Sequence, residues 1–193
     1  MATYVETDPL AKLTFNEKVV SRAMAHMKTC RLPPKVTVMD AAGCKTSRHF
    51  IKKGYKGKIH AFTKNKRDFA AMGEHKQIRK RCVDGIVKYS GKRRRSQVVI
   101  DDGMSNWRNT KPRMKILFEH CTTLALAINL TQRNKYHRYA WMLSDMIKMA
   151  DKNGLELTEY ADLGRYQQGG DGMRMYPHWF VFRSKEIFID LTL

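Results

Sequence analysis

Acidic residues are scarce in this 193-residue chain: 18 Asp and Glu stand against 37 Lys and Arg, a formal charge of +19. That excess goes beyond what solubility asks. It predicts a polyanionic partner held by phosphate contacts and counterion release. Long apolar runs are also missing. No window approaches the roughly 20 apolar residues of a membrane helix, and neither a basic amphipathic helix nor a lipidation motif points to a membrane surface. Cysteine is limited to Cys30, Cys44, Cys82 and Cys121, too widely spaced for a zinc site or a disulfide framework. Buried free thiols are expected, and no metal. The stretch from Met1 to Pro9 shows neither an apolar run nor a small-residue cleavage site, so the expected location is intracellular and cytoplasmic.

What the chain does have is an alternation of two hydrophobic periods. Phe15, Val19, Ala23 and Met27 recur at helical spacing behind a Thr14/Glu17 capping box, predicting a helix over 15–28 that ends before Pro33-Pro34. Strands are expected over 35–40, 58–63, 81–84, 97–102 and 124–130. Helices are expected over 46–53, stopped by Gly54, and over 66–72, 112–122 and 139–153. Two further strands, 155–160 and 179–183, flank a Gly- and Gln-rich loop. The pattern predicts an α/β fold: a Rossmann-like, doubly wound sheet, mostly parallel, with a C-terminal antiparallel hairpin. A single domain is expected, residues 1–34 forming an N-terminal helix and connecting segment and 35–193 the core.

In such sheets ligands bind beyond the carboxyl ends of the strands. The first end carries Asp40-Ala41-Ala42-Gly43-Cys44-Lys45-Thr46, which is either a close-approach loop at a helix start or a plain β-to-α turn. The second carries Thr63-Lys64-Asn65, where a ribose is usually gripped, but without the usual acid. The third carries Asp84-Gly85, a carboxylate and a bare amide suited to an adenine edge, or a simple turn. The fourth gathers Asp101-Asp102-Gly103-Met104-Ser105-Asn106-Trp107. Like charges held close cost energy unless something uses them, so Asp101 and Asp102 are the catalytic candidates. A P-loop built on Lys45-Thr46 is a poor alternative, since Met39 and Cys44 stand where phosphate loops need glycine.

The cations cluster. Lys88, Lys92, Arg93, Arg94 and Arg95 surround the loop that leads into the fourth strand, at the end of the sheet opposite the ligand edge, and read as a phosphate anchor. Trp107, Arg108, Lys111 and Arg113, with Arg133, Lys135, Tyr136, His137, Arg138 and Tyr139, interleave arginine with aromatics. That mixture suits stacking on unpaired bases, although Trp107 and Tyr139 also suit a core. His178 beside Trp179 reads as structural, and Met142, Met146 and Met149 as core filling.

Residues 36–50 resemble the first motif of the class I S-adenosylmethionine-dependent methyltransferases, and Asp40 to Thr46 a shortened form of the RNA cytosine methyltransferase loop. Residues 57–62 resemble their second strand, Asp84-Gly85 the third motif, 98–102 the fourth, and 179–182 the antiparallel edge. The match covers about residues 36–183 and rests on the order of the motifs. It implies S-adenosylmethionine as cofactor, with Gly43 and its neighbours Asp40 and Ala42 at the methionine end and Thr63 and Asn65 at the ribose. Asp84 and Gly85 would then lie at the adenine, and Asp101 or Asp102 would face the methyl group and substrate. The implied activity is methyl transfer to nucleic acid, RNA before DNA. The chain departs from the family in lacking the second glycine, the acid at Thr63, a proline pair after Asp101-Asp102, and a cysteine in the fourth motif, Cys121 being the nearest. Lys45, Asp101, Lys135 and Glu159 would form only a loose version of the tetrad that deprotonates a ribose hydroxyl. The alternative is a methyltransferase fold that has lost activity and binds RNA or DNA as a structural or regulatory module. A basic protein this compact, without a target-recognition domain, would suit a viral or phage genome.

Overall fold

The structure is a computed structural model that describes residues 9–30, 33–40, 42–82, 95–132, 138–168 and 173–185. Its helices are α1 (Pro9–Lys28), α2 (Lys45–Lys52), α3 (Lys66–Ala71), α4 (Trp107–His120) and α5 (Arg138–Lys152). Its strands are β1 (Lys35–Met39), β2 (Ile59–Thr63), β3 (Ile78–Cys82), β4 (Arg95–Ser105), β5 (Cys121–Gln132), β6 (Leu155–Asp162), β7 (Tyr166–Gln168) and β8 (Met173–Ser184). They form one sheet in the order β3-β2-β1-β4-β5-β8-β6, with β7 paired to β8. The first five strands run parallel. The expected terminal hairpin is present, because β8 is antiparallel to both β6 and β5 and lies between them. Strand order reverses between β1 and β4, the crevice where open α/β sheets bind ligands.

The near-continuous apolar strands are explained by helices on both faces. On one face α1 buries Phe15, Val19, Val20 and Ala23, and α2 buries Phe50, against Val36, Val38, Val98 and Ile100. Helix α3 joins the same face around Ala61 and Ile78. On the other, Met114, Leu117 and Phe118 of α4 and Met142, Met146 and Ala150 of α5 cover Val99, Leu124, Leu126 and Phe182. Met142 and Met146 are core residues, as their spacing predicts; each fully buried side chain of this size contributes about 1.5–3 kcal/mol.

Several boundaries differ from expectation: α1 already starts at Pro9, Cys121 and Thr122 open β5 and are not helical, and β8 extends over Met173–Ser184. Strand β3 begins at Ile78, ahead of the expected start at Arg81. Arg79 and Lys80, ahead of the expected strand, belong with Arg81 to the sheet's edge strand, where cations deter pairing with another chain. Helix α4 begins at Trp107, because the Asn106 side chain caps it by accepting from the Asn109 amide at 3.0 Å, and Pro112 falls inside the helix. The Gly- and Gln-rich loop contains a short extra strand, β7.

His60, in the middle of β2, titrates abnormally. Burial, reinforced by the charges of Lys35, Arg79 and Arg81, pushes its imidazole down to about 4. The unfolded chain, with an ordinary value of about 6.5, therefore binds the proton first, and this contribution to stability is lost as pH falls from about 6.5 toward 4. His26 and His178, lowered chiefly by burial, act in the same direction. Urea titrations across this window are expected to show stability falling with acid, and His60→Gln to reduce the slope by close to one proton. An unchanged slope would refute the assignment.

Candidate cofactor and acceptor site

Register places the expected site residues on one rim. Met39 pairs with Phe62 on one side and with Asp101 on the other, so Asp40, Thr63 and Asp101 come together where β1 and β2 end, β4 running on to Ser105. The Asp40 amide donates to the Phe62 carbonyl at 2.9 Å, fixing the start of the loop.

After β1 the chain makes a single 3₁₀ turn, Ala42–Cys44, and enters α2. Gly43 has φ +77°, where a side chain is strained. Among the described residues a Cβ there would meet only the Lys45 Cγ, at 3.9 Å, so on their side the backbone of the turn is sterically open. Cys44 follows with φ 49° and provides no side-chain cap. Asp40 takes that role: its Oδ2 accepts from the Ser47 amide at 2.9 Å and the Ser47 hydroxyl at 2.7 Å, placing a carboxylate at the positive end of α2. Thr46 donates to the Asn16 Oδ1 at 2.9 Å, tying the loop to α1.

At the next strand end, the Thr63 hydroxyl accepts from the Asn65 amide at 3.2 Å. The Asn65 Oδ1 caps α3, accepting from the Arg67 amide at 2.8 Å. These two positions, expected to meet a ribose, shape the loop around their own backbone.

The acidic pair divides between the faces of β4. Asp101 points toward α4, with its side chain 1% exposed, and its Oδ2 accepts from Arg113 Nη2 at 2.6 Å and Nε at 3.1 Å. Asp102, half-buried at the rim, accepts from the Asn129 amide nitrogen at 2.9 Å. Arg113, expected among the nucleic-acid cations, is thus an internal counterion. Asn129 was not singled out in the sequence; an Asn near the end of an otherwise apolar strand, beside an acidic pair, was its signal.

Two chemistries considered from the sequence are not assembled. Glu159 pairs with Arg22 of α1 at 2.9 Å, on the sheet face opposite Asp101 and its α4 partner, so the proposed tetrad does not converge. Cys121 starts β5 at the far end of the sheet, and burial pushes its thiol up to about 12. Burial, with the nearby Asp40 charge, does the same to Cys44. Neither thiol is an ionised nucleophile at neutral pH.

Trp107 and exposed Arg108 open α4, and Arg138 opens α5, both helices starting from the ligand rim. Arg95 opens β4 at the opposite end. Asp84, Gly85, Lys92, Arg93, Arg94, Arg133 and Lys135 lie outside the described residues. No helix among the described residues is long and apolar enough to cross a membrane.

No protein-family model and no curated protein sequence matches the chain. Its architecture is that of solved methyltransferases. TYW2 from M. jannaschii, in complex with AdoMet, is 16% identical and aligns with a TM-score of 0.58 over 86% of this chain and 77% of that one. A Pyrococcus horikoshii protein assigned as an RNA methyltransferase aligns with a TM-score of 0.61, at 13% identity, over 90% and 83%. The magnesium protoporphyrin IX methyltransferase of Synechocystis, with bound SAM, gives 0.56 at 14% identity over 90% and 82%. The chain has the Rossmann-like fold of the class I S-adenosylmethionine-dependent methyltransferases.

Proposed function

We propose, with this fold as premise, that the chain is an S-adenosylmethionine-dependent methyltransferase whose acceptor is nucleic acid, RNA in the first place. The observation that carries the reading is the meeting, at the switch point of strand order, of an open glycine turn after β1 and a carboxylate held by Asn129, Asp102, near the carboxyl end of β4. The open Gly43 backbone fits the close approach of the cofactor's methionine end. Asp40 and Asn65 hold the two loops in shape, so contacts to the cofactor on this side come chiefly from main-chain groups. Bound there, the cofactor supplies an electrophilic methyl group on a sulfonium centre. The protein's part is to bring an acceptor nitrogen or oxygen in line, with Asp102, oriented by Asn129, taking the proton the acceptor loses.

The nucleic-acid half of the reading rests on charge. A net +19, with Trp107 and Arg108 at the rim, suits a polyanion with accessible bases. The run from Lys92 to Arg95 would anchor its backbone at the far end of the sheet, and Arg133, Lys135 and Arg138 would extend the contact beyond β5. Asp84 and Gly85 would meet the adenine. The same polar groups that shape the loops favour a second reading, a binding module without catalysis, because Asp40 and Asn65 are engaged in helix caps.

Calorimetry with S-adenosylmethionine, with and without single-stranded RNA, separates the two. Saturable micromolar binding is the expected result. No heat in either condition would leave only the binding module.

A further inference from the structure

Among the described residues, the largest exposed apolar side chain that no sequence pattern singled out is Trp141, in the first turn of α5 and 70% exposed. Met142, the next residue, and Met146, a turn beyond it, form the buried stripe, so the indole is turned away from the core. One turn further on the same side stands Asp145, and residues four apart share a helix face. Asp145 is the link between the helices: its Oδ2 accepts from the Trp107 indole nitrogen at 2.9 Å and from Lys111 Nζ at 2.8 Å. Lys148 also acts on it electrostatically, and together these cations and hydrogen bonds hold its carboxyl below the ordinary range. Helix spacing therefore puts Trp141 on the same face of α5 as Asp145 and Lys148, the face that Asp145 ties to Trp107 and Lys111 of α4, with exposed Arg108 following Trp107 in sequence.

Both helices start at the rim that carries Gly43 and Asp102, because α4 follows the end of β4 and α5 follows β5. We infer that Trp141 is a stacking platform for an unpaired nucleotide of a single-stranded RNA, with Arg108 and Lys148 receiving the flanking phosphates. The inference rests on the nucleic-acid reading above and extends it. Charge complementarity selects the occupant: Lys148 shares the helix face of Trp141, Lys111 and Arg108 lie on the helix tied to that face, and the Asp145 carboxylate between them is neutralised by Lys111. A base offers a π-face to the ring, and the backbone offers charge to the rim.

The three tryptophans make the test direct. Trp179 is fully buried and Trp107 is half-buried against Asp145, so the solvent-exposed emission belongs to Trp141. Titration with an oligouridylate should quench that emission, and Trp141→Phe should abolish the quenching. Trp141→Ala should weaken binding by roughly tenfold, and Trp141→Phe by much less. Neither change should alter the salt slope, which Lys148→Gln should reduce. If the wild type binds RNA and Trp141→Ala binds it equally well, the stacking role is wrong and the nucleic-acid reading survives. If the wild type binds no RNA, both fall. A concentration-dependent shift of the emission without RNA, accompanied by a dimer in sedimentation, would show that a second copy of the chain covers the indole and overturn the inference.

Discussion

Asp102→Ala is expected to lower the rate of methyl transfer by at least about a hundredfold, the usual scale for a positioned acid or base, while binding of RNA and S-adenosylmethionine changes little. The expectation follows from how the structure treats the acidic pair. Asp101 is buried beneath the rim and engaged by Arg113, whereas Asp102 lies half-buried at the rim with one oxygen held by Asn129. Single-turnover rates at saturating cofactor separate chemistry from binding. A variant that keeps its rate would remove Asp102 from the mechanism and leave the proton to another acceptor. Asn129→Leu should cost less and shift the pH profile, since it acts through the carboxylate it orients.

The doubly wound sheet was legible because buried parallel strands and amphipathic helices have different hydrophobic periods, and the Pro33-Pro34 break and the glycines at 54 and 154 separate them. Local chemistry was harder to read. A carboxylate at the end of β1 looks the same whether it faces a ligand or a helix; the left-handed turn at Gly43 and Cys44 brings the α2 amides back toward Asp40 and decides the matter. The start of β3 was misplaced because an edge strand with one inward anchor, Ile78, has almost no apolar signature. Trp141 was hidden beside Met142: within an apolar pair, sequence does not show which member faces out. Arg113 was counted with the surface cations because its counterion lies twelve residues earlier, on another element.

The second large effect concerns stability. Arg113→Met should destabilise the fold by about 3–5 kcal/mol, because it leaves the Asp101 carboxylate in the core without its counterion. The side chains are 11% and 1% exposed, and the two hydrogen bonds from Arg113 converge on one carboxylate oxygen, so water can replace the guanidinium only by opening the seam between α4 and β4. The burial that makes breaking the pair costly also makes the pair itself dispensable, since desolvating two ions offsets much of their attraction. Asp101→Leu combined with Arg113→Met should therefore recover most of the loss, giving a coupling energy well above 0.5 kcal/mol, the level at which neighbouring residues count as coupled. Urea denaturation of the wild type, both single variants and the double variant measures it directly. Additive losses would mean that Asp101 and Arg113 serve the fold separately. Strong coupling together with retained methyl transfer in the double variant would place Asp101 in the frame that fixes α4 and leave the chemistry of the rim to Asp102.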